Sequence, residues 1–156
     1  MTLLSQLWNR KIEKVVWYLV PVLIFSFLGF LDAAYLTATH YLQAPVGCSL
    51  IAECDTVLTS AYAEMFGIPI ALFGALYYTA LFGITLALLD AKRLLVFMVL
   101  GLASGTGFLV SLVLIGIQMF LLEAYCQFCL LSAGISIAIF LILFLMFWKR
   151  VYSRVF

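Results

Sequence analysis

Four apolar runs in this chain are too long and too poor in charge for a fold that faces water. They extend from about Val16 to Thr37, from about Ile68 to Leu89, from Leu94 to Leu122 and from about Cys126 to Trp148. The third contains no Asp, Glu, Lys or Arg, and the first contains one charge, Asp32. At about 1.5 Å per residue each crosses the roughly 30 Å of bilayer hydrocarbon, the third with length to spare for tilt. A backbone in hydrocarbon must satisfy its own hydrogen bonds, which leaves helices or a closed barrel. Barrel strands are about ten residues long and alternate in polarity, and these runs do neither. The expected fold is therefore an all-α integral membrane protein, one four-transmembrane-helix bundle over residues 1–156. Composition agrees: 67% of the 156 residues are hydrophobic and 10% charged, against about 45–50% and about 25% in soluble domains. No stretch is left for a soluble catalytic domain. A net charge of +1 offers no basic face for nucleic acid.

The basic residues orient the bundle. With four spans, Arg10, Lys11, Lys14, Lys92, Arg93, Lys149, Arg150 and Arg154 all fall on one side. Lys and Arg near span ends mark the cytoplasm. Both termini and the short connection at Asp90–Arg93 are thus expected inside, in a multi-pass protein of a plasma or inner membrane. Trp17 and Tyr18, and Trp148 and Tyr152, supply aromatic belts at that interface. The N-terminal stretch lacks the apolar core and cleavage site of a signal peptide. Leu3, Leu4, Leu7 and Trp8 are expected to form an interfacial face before the first span.

The outer side receives a loop over residues 38–67 and a tight turn near Glu123. Pro45 and Gly47 break whatever precedes them. Asp55 or Thr56 suits the cap of a short helix from about Val57 to Met65, whose apolar residues recur at helical spacing. Gly67 suits its end and Pro69 the first turn of the next span. The expectation is a small cap helix lying on the bundle.

All four cysteines lie on this outer side. Cys48 and Cys54 form C-x5-C in the loop, and Cys126 and Cys129 form C-Q-F-C at the start of the fourth span. Outside the cytoplasm is where disulfides persist. The first turn of a helix has unpaired N–H groups and a partial positive charge, which stabilise a thiolate there. Cys126 is expected close to water, with Cys129 one turn deeper at the acyl boundary. One sulfur then meets a water-side thiol and the other a lipid-soluble oxidant. An exposed disulfide of Cys48 and Cys54 is the labile kind and suits a shuttle. Two other arrangements use the same residues: a pair of structural staples, or a four-thiolate zinc site.

Several segments carry a family resemblance. They are L-G-F-L-D-A-A-Y-L-T-A-T-H-Y, C-S-L-I-A-E-C-D-T-V-L-T-S, F-G-I-P-I-A-L-F-G-A-L-Y-Y and C-Q-F-C-L-L-S-A. In order and spacing, from Leu28 to Ser136, the chain resembles prokaryotic members of the vitamin K epoxide reductase family. The resemblance implies a four-helix bundle around a quinone of the ubiquinone or menaquinone type, closed outside by the loop and its helix, with no metal or flavin. It implies an enzyme that takes electrons from a thioredoxin-like (DsbA-like) partner and so supports disulfide formation outside the cytoplasm. By position, Cys126 and Cys129 match the active pair, with Cys129 nearest the quinone. Cys48 and Cys54 match the shuttle, Cys48 meeting the partner and Cys54 bridging to Cys126. Ser60 matches a serine near that site. Ile70 and Ala133 stand where vertebrate members have an asparagine and a tyrosine at the vitamin K ring, so simple quinone reduction is the expected activity. Many bacterial members carry a fused thioredoxin-like domain. This chain stops at Phe156, and a separate partner is expected. DsbB-type proteins also have four spans and four cysteines, but with C-x-x-C in the first outer loop.

Other residues have two readings each. Asp32 is an ionisable group inside a span, a candidate for proton movement by default and otherwise structural. His40, the one histidine, is a possible acid or base beside thiols or an inert loop residue. Phe66, Phe73, Tyr77 and Tyr125 are candidates to line a quinone site, and aromatics are equally at home in a bundle core. Gly101, Gly105 and Gly107 suit close helix packing. The rival to an enzyme is a non-catalytic scaffold with structural disulfides.

Overall fold

A computed structural model describes residues 3–48, 54–91 and 94–155, with side chains over 17–48, 54–89 and 95–148. Four helices are long and apolar enough to cross a membrane, over Trp17–Leu42, Ile70–Leu89, Leu95–Leu122 and Gln127–Trp148. They belong to α1 (Leu3–Leu42), α3 (Ile70–Ala91), α4 (Leu94–Ile117) and α5 (Gln127–Val155). Helix α1 packs on α3 and α5, and α4 packs on α5 and α3, which closes the bundle.

The helices are apolar nearly all round because lipid is their solvent, so packing depends on shape. A Cβ on Gly29 of α1 would lie 2.5 Å from the Tyr78 ring of α3, and one on Gly107 of α4 would strike the Tyr77 hydroxyl. Small residues let backbones approach where lipid offers no hydrophobic drive for association. Gly107 and Gly105, the latter 3.9 Å from Phe140, meet the packing expectation, but a Cβ on Gly101 would have no neighbour within 4 Å. Leu19, Tyr78, Leu81, Leu100, Ile139 and Leu143 fill the core. Three of its buried hydroxyls bond back to their own helices: Ser26 to the Val22 carbonyl (2.8 Å), Thr85 to Leu81 (2.7 Å) and Ser104 to Gly101 (2.9 Å).

Three boundaries differ from expectation. The first helix runs unbroken from Leu3 to Leu42, so the loop expected on the outer side begins at Gln43 and not at Ala38. The expected interfacial face at Leu3–Trp8 lies outside the described side chains, as do all eight basic residues that suggest the orientation. The cap helix is α2, Cys54–Leu58, and not Val57–Met65. It ends early because hydroxyls compete for its carbonyls: Thr59 Oγ1 donates to Asp55 O (2.6 Å) and Ser60 Oγ to Val57 O (2.7 Å). The chain then forms a hairpin of β1 (Glu64–Met65) and β2 (Ile68–Pro69), with Met65 opposite Ile68. Phe66 (φ 57°) and Gly67 (φ +76°) occupy its turn, both in the left-handed region that tight hairpins use. Gly67 thus turns a hairpin and does not end a helix.

Helix α4 ends in a π turn, Gln118–Leu122, closed by Glu123 in the left-handed conformation with its N–H on the Gln118 carbonyl. Such turns recur at functional sites.

Candidate functional site

Cys126 immediately precedes α5 and acts as its N-cap. Its Sγ accepts the backbone N–H of Cys129 (3.4 Å), three residues on, where Ser or Asp oxygens usually sit. The Cys126 carbonyl accepts the N–H of Leu130 (3.0 Å) and so starts the helical ladder. Its own N–H donates to Oε1 of buried Gln118 (3.0 Å). The π turn aims that amide back at the cysteine, joining the end of the third span to the start of the fourth.

This placement brings the Cys126 thiol down from 9.0 to about 7. The Cys129 thiol, donating to it, is the largest cause. Backbone N–H groups of Cys129 and Phe128 act in the same direction, while burial and the Asp32 carboxylate oppose them. A substantial share of thiolate near neutral pH follows, the form that attacks disulfides.

Over this helix start lies the loop. Cys48 and Cys54 are joined in a disulfide, with Cα atoms 6.3 Å apart, whereas Cys126 and Cys129 are free. Cys54, Val57, Ala124 and Cys126 form a small buried cluster with Cys48, Leu58, Phe128 and Cys129 packed against it. Cys54 and Cys126 are closed to solvent, and Cys48 is part-exposed. The expectation that Cys126 lies close to water is therefore corrected: α2 and its disulfide cover it. Two of the four sulfurs are thus joined and two are free. Among the described residues no three His, Cys, Asp or Glu side chains converge as metal ligands.

On the membrane side of this cluster lies a cavity of about 140 Å³. That is close to the roughly 150 Å³ that admits one benzene ring. The lining is mostly apolar, with Asp32, Ser60, Ser111, Gln118, Cys129 and Ser132 contributing polar atoms. Ile70 and Ala133 line it as well. Of the aromatic candidates none does. Phe66 projects from the hairpin turn, 96% exposed, and Phe73 and Tyr125 are also exposed. Tyr77 packs edge-on against Tyr78, at 5.2 Å between centroids, and over Gly107. These four serve surface and packing here, because bundle geometry turns other faces of their elements to the cavity. His40 lines the cavity, with Nε2 3.3 Å from Glu64 Oε1.

Three residues escape the sequence reading. Gln118 carried a signal, as a lone amide in the run without charge. Tyr78, fully buried, donates to the Ser132 carbonyl (2.7 Å) and shares hydrogen bonds with the Ser132 and Ser136 hydroxyls (3.0 Å each), tying α3 to α5 one turn below Cys129. Glu64 has no local signal, because only the hairpin brings it to His40.

The sequence profile described as the vitamin K epoxide reductase family matches residues 20–144. That interval includes all four cysteines and every cavity residue. No curated protein matches the chain.

Proposed function

The chain belongs to the vitamin K epoxide reductase family of membrane oxidoreductases, and from that premise we propose that it moves two electrons from an outer dithiol to a membrane quinone. One observation carries the proposal: the disulfide Cys48–Cys54 packs into one cluster with the free pair Cys126 and Cys129, and Cys129 also lines a ring-sized cavity.

The route follows from which sulfur each reactant can reach. A thioredoxin-like, DsbA-like dithiol approaching from water meets part-exposed Cys48, while Cys54 is shielded. Its thiolate attacks Cys48, Cys54 leaves as thiolate, and the partner's second thiol releases Cys48 and oxidises the partner. Cys54 then attacks Cys126 of an oxidised Cys126–Cys129 pair, and Cys48 resolves the mixed disulfide. This leaves Cys48–Cys54 oxidised and the C-x-x-C reduced, the arrangement of this structure. The N-cap supports the resolving exchange, because it stabilises Cys126 as the leaving thiolate when Cys48 takes Cys54 back. Quinone, the electron-accepting substrate, fits the mostly apolar cavity beside Cys129 and leaves as quinol when Cys126 and Cys129 rejoin. Direction is set by the redox poise of the outer compartment. With this chemistry the partner, once oxidised, forms disulfides in other proteins.

The test uses the detergent-purified chain, reduced and freed of reductant, then mixed with a short-chain ubiquinone or menaquinone. Quinone absorbance should fall by about two equivalents per protein, one for each of the two dithiols that full reduction leaves. Cys129→Ala should consume none. A folded wild-type chain that leaves the quinone untouched would refute the proposal.

A further inference from the structure

One buried group plays no part in that route. Asp32 lies inside the first span with only 8% of its surface exposed, the one acidic residue buried among those described. Its Oδ2 has no hydrogen-bond partner, and the residue lines the cavity that Cys129 and Ser132 line from α5. A buried carboxyl oxygen without a partner is costly, and this one belongs to a residue that borders the cavity. Its position along α1 adds to this. Asp32, Leu36 and His40 all line the cavity at helical spacing, which puts His40 about 12 Å farther along α1 than Asp32. His40 meets exposed Glu64, so the cavity runs from a wet rim to a dry floor at Asp32.

Building on the quinone reading, we infer that Asp32 is the acid that protonates the quinone. The step balances from a thiolate at Cys126, a thiol at Cys129 and a carboxylic acid at Asp32. The two sulfurs lose an electron pair and join, and the quinone gains that pair. One proton comes from the Cys129 thiol and the second from Asp32, giving quinol, a disulfide and a carboxylate. The single negative charge passes from Cys126 to Asp32. Water at the His40–Glu64 rim then returns a proton to Asp32, and release of quinol readies the site.

The test compares Asp32→Asn with wild type in single-turnover quinol formation by the full chain in detergent. An amide keeps a hydrogen-bond donor but yields no proton. D32N should therefore keep its KM for short-chain ubiquinone within about threefold and lose at least about 100-fold in rate. Its Cys126 should still react with iodoacetamide at least at the wild-type rate, since the amide removes a carboxylate that opposes the thiolate. D32N reducing quinone within threefold of wild type would overturn the inference and leave the quinone reading intact. A wild-type chain that reduces no quinone overturns both. If D32N does not fold, infrared difference spectra of the wild-type chain with and without the ubiquinone decide. A carboxylic-acid C=O band that moves on binding, and moves again in D2O, supports Asp32, and no such band overturns it.

Discussion

The bundle core and the outer cluster are both hydrophobic, and they are held together by different means. The core, built around Leu19, Leu81, Leu100 and Ile139, sits in lipid, where burial gives little advantage because the surroundings are as apolar as the interior. It relies on fit, with glycines under tyrosine rings, and on hydroxyls such as Ser26 and Thr85 bonded to their own helices. The cluster of Cys54, Val57, Ala124 and Cys126 sits at the water boundary, where burial regains its force and a disulfide adds a covalent tie. The core can be the same in every redox state. On the proposed route the cluster cannot, since its contacts include the sulfurs assigned to react. That route separates scaffold and reaction centre by position along the bundle.

The separation can be broken or sharpened in three steps. Cys126→Ser has the largest expected effect. Serine is a good N-cap, so the melting temperature in detergent should hardly change, while quinone reduction falls at least about 1,000-fold for want of a nucleophile. A large loss of melting temperature would mean that the sulfur is structural. Leu81→Ala should do the reverse. It empties a fully buried site and should cost about 2 kcal/mol, the low end for such cavities because the transfer term is weak in lipid. Turnover per folded molecule should stay unchanged when scored against the folded fraction. The smallest effect is on pH dependence. Thiolate is the reactive form, so alkylation of Cys126 by iodoacetamide should rise with pH through a midpoint at about 7. Cys129→Ala removes the largest cause of that lowering, and the midpoint should move upward. An upward move of about one pKa unit would lower the rate at pH 7 by roughly fivefold. An unmoved midpoint would assign the lowering to the helix start alone.

The spans were legible because apolar length and missing charge are properties of a continuous stretch. Their ends were less so: nothing local says that α1 continues from Thr37 to Leu42. The cap helix was misplaced for a physical reason. Val57, Leu58, Ala61, Tyr62 and Met65 follow helical spacing, but only the first two pack into the outer cluster, and the hydroxyls of Thr59 and Ser60 end the helix between them. The four cysteines stand out through spacing and through their position at span boundaries. What shields Cys126, and what faces Asp32, depends on elements far apart in the chain, and no periodicity reports that. The aromatic candidates misled because an aromatic in a bilayer protein is equally suited to lipid, core and ligand.

The π turn at Gln118–Leu122 sets a phase. A π turn holds one residue more than an α-helix would use over the same path. Deleting any one residue between 118 and 122 would restore the regular helix and swing Gln118 by about 100° relative to the C-x-x-C. Hydropathy and span length would scarcely register the loss, yet the amide would no longer find the Cys126 N–H. Most letters of the third span are interchangeable with other apolar letters. The number of letters ahead of the cysteines is not.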